Sequence, residues 1–353
     1  MAVTDTTHDN KGKEDICGMF GLCREQVDPR FREPFIVNGY RKPNMGAIDC
    51  MKSTMVYYCN ETINVWSHFL AFLYFLHKFI HIFTQEHSLI DPYHWPFVTY
   101  LVGIQGFCLM SSLAHTFNSI SPLARNVCFS LDYAAISIYS VGAGQAFFFY
   151  SRPIDPALGA LSNPHIYSVI SVVISLGSTV KCCLTRQKWH SLKYLLRTMS
   201  YVMPFVWNTC PYLYRMVTSA KGMDDTSTTS MLFYTHAVLY IVAACVNVSR
   251  IPERCIPGVF CALGQSHHWM HVLTAIGAGI QLEGVKMEME ERRSTLEKQS
   301  NQWNCSYSLL FMMVAIVSNF VVASCFGVTT PTDRYAKAGQ NSKTNSEELK
   351  KHD

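Results

Sequence analysis

Eight apolar runs constrain this chain more than any other feature, because each is close to the roughly 20 residues a helix needs to cross a hydrocarbon core. They cover residues 65–84, 97–115, 127–149, 165–183, 196–214, 230–248, 266–282 and 306–328. Charged residues cluster between the runs, and at 15% they fall below the quarter usual in soluble domains, while apolar residues reach 49%. In lipid, backbone amides must be satisfied inside the segment, so runs of this length fold as helices. The expected fold is all-α: a polytopic membrane helix bundle with seven core transmembrane helices and an eighth near the C-terminus. The first, fifth and seventh runs are the weakest. The first holds His68, His77 and Lys78, the fifth holds Arg197, Pro204 and Pro211, and the seventh is short and contains a histidine pair.

This divides the chain into a polar N-terminal region (1–64), the bundle (65–328) and a polar tail (329–353), with the start and the tail expected to be disordered. Asp49–Tyr58 suits a short interfacial helix. The first 30 residues carry no apolar core after a basic start, so targeting is expected to come from the first membrane helix. A net charge of +4, scattered over the chain, makes no nucleic-acid footprint. Half of the 14 cysteines fall inside apolar runs and no CxxC occurs; Cys17 and Cys23 have no matching second pair, so no metal is expected there.

Lys and Arg set the orientation. The side holding the N-terminus carries 20 of them and the other side 7. With both termini set aside the loops tie at seven each, and the basic stretch Arg186–Arg197 carries the assignment. Both ends are expected in the cytosol.

That orientation gives meaning to Gly264-Gln-Ser-His-His-Trp-Met-His271. His267 and His271 are four apart, which on a helix puts two imidazoles on one face, one turn apart. The second run ends near His115, in Ser111-Ser-Leu-Ala-His115. The third begins on the same side, with Asp132 about a turn and a half inside on a start at 127. Three histidines, an aspartate and a serine therefore fall at similar depth, and ionisable residues inside a membrane cluster and pair. Three neutral imidazoles with one open position form the ligand set of a catalytic-type zinc site. The candidate ligands are His115, His267 and His271. Asp132 would bind a zinc-held water or take its proton, and Ser111 would donate a hydrogen bond nearby. His268 points to another face. The plainer readings are an interfacial His115, an Asp132 that caps its helix or pairs with Arg125, and Met, Phe and Tyr residues that merely pack.

Six blocks then resemble the progestin and adipoQ receptor family over residues 34 to about 285: Gly39-Tyr40-Arg41, Asn60-Glu61-Thr62-Ile63-Asn64-Val65-Trp66-Ser67-His68, Ser111 with Ala114-His115-Thr116-Phe117, Leu131-Asp132-Tyr133, Ile251-Pro252-Glu253-Arg254, and Gly264-Gln-Ser-His267-x-x-x-His271. Within the family the chain is similar to the membrane progestin receptors, more to their gamma and delta types, by Asn60-Glu61-Thr62, Pro92-Tyr-His-Trp-Pro96 and the eighth helix. The resemblance implies seven core helices with the N-terminus inside, and zinc on His115, His267 and His271 supported by Ser111 and Asp132. It also implies a plasma-membrane progestin (steroid) receptor among membrane lipids, with rapid signalling through inhibitory G proteins and a link to oocyte maturation. The chain departs from the branch at Val259 and Cys261, where basic and acidic residues are usual, and carries Gln265 and His268 where histidine and Gln are common.

Two functions follow from different classes. One is a receptor in which a steroid binds among the helices and a cytosolic partner reads their rearrangement; Arg186–Arg197 is either that contact or a topology anchor. The other is a zinc-dependent lipid amide hydrolase of the ceramidase kind, with zinc polarising the carbonyl of a ceramide-type lipid and Asp132 and Ser111 as its catalytic residues. A transporter is disfavoured, since no repeat and no pair of broken helices in corresponding halves is visible.

Overall fold

The computed structural model describes residues 21–331, apart from 57, 87–89, 154–158, 189–191, 219–226 and 298–304. Most of the stretches expected to be disordered lie outside these residues. Among the described residues the regular structure is helical, with one isolated antiparallel bridge, Leu22 to Tyr40. The eight runs are eight long helices: α1 Thr62–Glu86, α2 Trp95–Phe117, α3 Pro122–Ala146, α4 Pro164–Gln187, α5 Lys193–Thr218, α6 Ser227–Ser249, α7 Ser266–Glu291 and α8 Ser306–Thr329. The segment expected at the interface is helical over Ala47–Val56. Five long helices (α2, α3, α4, α6 and α8) are apolar enough to cross a membrane by length and composition. The other three are α1, α5 and α7, the runs that read as weakest.

The seventh run departs from expectation in length. It is a 26-residue helix reaching Glu291, where hydropathy saw only 266–282. Its last turns carry Glu283, Lys286 and Glu288. Glu288 is 4% exposed, and Arg215 of α5 neutralises it through two contacts of 2.6 and 2.5 Å.

The packing inverts the pattern of a soluble protein. Valines, leucines and methionines such as Leu70, Val173, Met203, Val238 and Val321 face outward, while serines, asparagines and charged groups are buried. On α4, Ser168, Ser171, Ser175, Ser178 and Thr179 form one buried small-residue face. Asn319 of α8 docks on it, donating to Ser175 at 2.8 Å and accepting from Thr179 at 2.6 Å. Each helix from α1 to α5 packs on the next, α7 packs on α6 and α1, and α8 lies against α3 and α4.

The α2–α3 contact depends on Gly142. A Cβ there would sit 2.5 Å from the Thr99 carbonyl oxygen and 3.0 Å from Tyr100 Cα, both backbone atoms that cannot swing aside. Gly142→Ala should therefore destabilise the purified protein by about 1–3 kcal/mol, read as a lowered thermal midpoint in detergent. An unchanged midpoint would mean the two helices separate at little cost.

The N-terminal segment docks beneath α3, α5 and the α6–α7 loop. Val27, Phe31, Ile36 and Tyr40 bury themselves together with Cys261. Cys261 Sγ accepts from the Val37 amide at 3.3 Å, so the departure at this position has a packing role. Cys23 is in a disulfide, which leaves it no thiolate for a metal. Glu33 takes Arg125 at 2.8 Å and the Tyr194 hydroxyl at 2.6 Å. Arg125 is thus spent on Glu33, not on Asp132.

Candidate metal centre

Each helix that brings a histidine to the site is held at the relevant end by a buried polar side chain. On α2, His115 lies in the last turn, where carbonyls lose their intrahelical partners. The buried Arg41 guanidinium caps them, reaching His115 O at 2.7 Å, Thr116 O at 2.8 Å and Asn118 Oδ1 at 2.8 Å. On α7 the first-turn amides need acceptors, and the helix has no side-chain bond from its own N-cap Gln265. Glu253, fully buried, replaces it by accepting from the Ser266 amide at 2.7 Å and from the Ser266 hydroxyl. Gly264, at φ +79°, makes the left-handed turn into the helix. His267 and His271 follow in the first two turns.

The three imidazoles converge. His267 Nε2 lies 3.4 Å from His115 Nε2 and 3.3 Å from His271 Nε2, and one ligand atom from each ring fits within a mutual 4.8 Å. Tetrahedral ligands at the usual zinc–nitrogen bond of about 2.0–2.1 Å sit roughly 3.3–3.4 Å apart. Each Nδ1 faces an oxygen: Glu61 Oε2 at 2.7 Å from His115, Asn247 Oδ1 at 3.4 Å from His267 and Ser67 Oγ at 3.5 Å from His271. Protons held at Nδ1 leave three Nε2 lone pairs aimed at one point, an arrangement that repels itself unless a cation sits there. On these observations the donor set fits zinc.

Asp132 lies about three turns into α3, deeper than expected, because α3 starts at Pro122 behind a Ser121 cap that takes the Ala124 amide at 3.0 Å. Asp132 therefore neither caps α3 nor pairs with Arg125. It is buried and interacts electrostatically with His115 and Ser111, while its Oδ1 has no hydrogen-bond partner among the described residues. The structure thus gathers all five residues expected at the site. His268 stays on another face, its Nε2 2.9 Å from Gln265 Nε2 and 3.2 Å from Asn60 O. Gln265 and His268 touch each other, so the exchange of residue types at these positions keeps a local pair.

Sequence reasoning about the site overlooked Glu61, Ser67, Asn247, Arg41 and Glu253. Glu61 matters most. It accepts from Asn118 at 2.8 Å and Asn64 at 2.9 Å besides facing His115. Burial pushes its carboxyl up, but the His115 ring and the Arg41 guanidinium outweigh burial and hold it well below the usual range. Its signal was the block Asn60-Glu61-Thr62, noted only as a marker because it precedes the first apolar run. Glu61→Gln should keep the fold and weaken zinc about 10–100-fold, measured by chelator competition; unchanged affinity would leave Glu61 a purely structural anchor. His68 of α1 also borders the site, stacked on His271 with ring centroids 4.0 Å apart.

The haemolysin-III related family matches residues 56–282, the stretch that carries all three histidines. Among curated relatives, the chain is 30% identical to human membrane progestin receptor delta over 86% of its length and 89% of the relative's. It is 32% identical to membrane progestin receptor gamma-A of Danio rerio, over 77% of this chain and 83% of that one. Human membrane progestin receptor alpha is 27% identical over 84% of each. The chain belongs to the haemolysin-III related family of membrane proteins, the progestin and adipoQ receptors, on the branch of the gamma and delta membrane progestin receptors.

Proposed function

We propose that this chain is a plasma-membrane receptor for progestins or related steroids, with zinc held by His115, His267 and His271. The observation that carries the receptor reading is an open, mainly apolar groove of about 500 Å³ on the lipid-facing side, between α1, α6 and α7. Leu70, Tyr74, Phe75, Leu232, Ile276 and Gly279 line it. Its volume falls in the roughly 300–1,000 Å³ range of small-molecule sites. Rigid apolar ligands dissolve first in the bilayer, and this groove opens to the bilayer. Leu70 follows His68 by two residues and Ala275 follows His271 by one turn, so an occupant would lie directly against the helix segments that carry the histidines. Lys78 and Glu283, 2.8 Å apart, close the far end and offer partners to a ligand's polar terminus.

Zinc, when bound, supplies a Lewis acid that ties α2 to α7 and can polarise a carbonyl. In the receptor reading the histidines join the two helices, and Glu61 and Arg41 hold α2 at the required depth. Rapid signalling through inhibitory G proteins, a cytosolic N-terminus and a part in oocyte maturation complete the proposal on the strength of the family resemblance and the distribution of Lys and Arg.

A second reading, zinc-dependent hydrolysis of a ceramide-type amide, is favoured by one observation. Asp132 Oδ1 is buried without a partner beside the histidines, as a group that must accept a proton would be. Ser111 would orient that carboxyl.

The test measures radiolabelled progestin binding and ceramide hydrolysis on the same membranes. Gly279→Leu, which fills the groove, should reduce steroid binding at least tenfold. Unaltered binding would remove the groove from the proposal. Loss of hydrolysis in the His267→Ala/His271→Ala protein with binding retained would make the metal centre an enzyme's.

A further inference from the structure

At the face that carries the N-terminal segment, a cavity of about 150 Å³ opens between that segment and the ends of α3, α4 and α5. Among the described residues six cationic side chains line it (Arg30, Arg32, Arg125, Arg186, Lys193 and Arg197), against a single carboxylate, Glu33. Glu33 is shared between Arg125 at 2.8 Å and Lys193 at 3.7 Å, and Arg30 is paired outward with Asp28 at 2.7 Å. Arg32, Arg186 and Arg197 make no ion pair among the described residues. Arg186 rests its fork on Asn126 Oδ1 at 3.2 and 2.9 Å, and Arg197 points its Nε at Thr185 Oγ1 at 2.7 Å. Each also lies over an aromatic ring, Phe129 at 5.1 Å and Tyr133 at 5.1 Å, which fixes the guanidinium without cancelling its charge.

We propose that this cavity binds a phosphate monoester, carried by a membrane-lipid headgroup or by a soluble anion. Several cations gathered around a small enclosure repel one another unless an anion offsets them. The planar forks of Arg186 and Arg197 match the oxygens of phosphate. Pro122 and Lys193, the first residues of α3 and α5, line the wall, so two positive helix ends add to the field. An enclosure of this size admits a phosphate group and excludes a folded protein surface. Its position at helix ends is the level at which headgroup phosphates lie.

The test adds four probes to the full-length protein in detergent: dioctanoyl phosphatidylinositol 4,5-bisphosphate, inositol 1,4,5-trisphosphate, inorganic phosphate and dioctanoyl phosphatidylcholine. Native mass spectrometry reads adducts, and the thermal midpoint reads stabilisation. The inositol lipid should bind at least tenfold more tightly than phosphatidylcholine and weaken as salt rises. Binding of the inositol lipid well above the trisphosphate assigns the site to a headgroup; equal binding assigns it to a soluble anion. No preference of any phosphate monoester or inorganic phosphate over phosphatidylcholine overturns the proposal. Arg186→Gln/Arg197→Gln should lower binding at least tenfold, and unchanged binding overturns it. Should that variant not fold, Glu33→Gln decides: removing that carboxylate should leave binding equal or tighter, and loss of binding would overturn the electrostatic account.

Discussion

Elemental analysis of the purified protein is expected to find about one zinc per chain in the wild type and background zinc in His271→Ala. His267 Nε2 lies 3.3–3.4 Å from the Nε2 atoms of His271 and His115, so removing a ring removes a candidate ligand and opens a second position to water. The loss should exceed the roughly 10–100-fold expected of a partner beyond the ligands, such as Glu61. Zinc binding also stabilises the folded state by mass action, so added zinc should raise the thermal midpoint of the wild type and not of the variant. His268→Ala is the control, because His268 is buried like His115 and His271 but directed at Asn60 and Gln265. Zinc retained in His271→Ala, or lost equally in His268→Ala, would end the three-histidine assignment.

The second large effect lies at the opposite end of α7. Glu288→Ala should destabilise the protein by about 3–5 kcal/mol, because it takes the two-pronged carboxylate from a guanidinium that is almost wholly buried. Arg215 and Glu288 side chains are 2% and 5% exposed and meet in a two-pronged contact. A buried pair contributes little beyond what its desolvation costs, whereas half of one is severely unfavourable. Arg215→Met/Glu288→Leu should accordingly recover most of the loss. Unfolding in detergent, followed by intrinsic fluorescence, separates the outcomes. A cost below about 1 kcal/mol for the single change would mean that water reaches the pair and screens it.

These two sites mark how far the amino-acid pattern could be read directly. The helices were legible because apolar length is a strong signal and lipid leaves the backbone no alternative. His115, His267, His271, Asp132 and Ser111 were legible because the orientation of the runs set their depth without reference to their chemistry. The second half of α7 was not, since Glu283, Lys286 and Glu288 read as a loop until Arg215, 73 residues earlier, is seen to neutralise one of them. Glu61 was missed for a related reason. It lies before the first apolar run, and only the fold of the N-terminal segment swings it onto the Nδ1 of His115, 54 residues away. Pairings over such distances leave no periodic trace.

The two ends of α7 also decide how that helix can move. Its first turn is pinned by Glu253 and its last by Arg215, with Arg292 just beyond anchored to the carbonyls of Tyr150 and Arg152. A piston stroke of even one turn, about 5.4 Å, would tear out both pins together. Between the pins lies the midsection with Gly277, Gly279 and Gly284, tied sideways by the Tyr100 and Tyr240 hydroxyls on Gln281. A rod clamped at both ends responds to a load at its centre by bowing, and a ligand in the groove beside Gly279 would press at that centre.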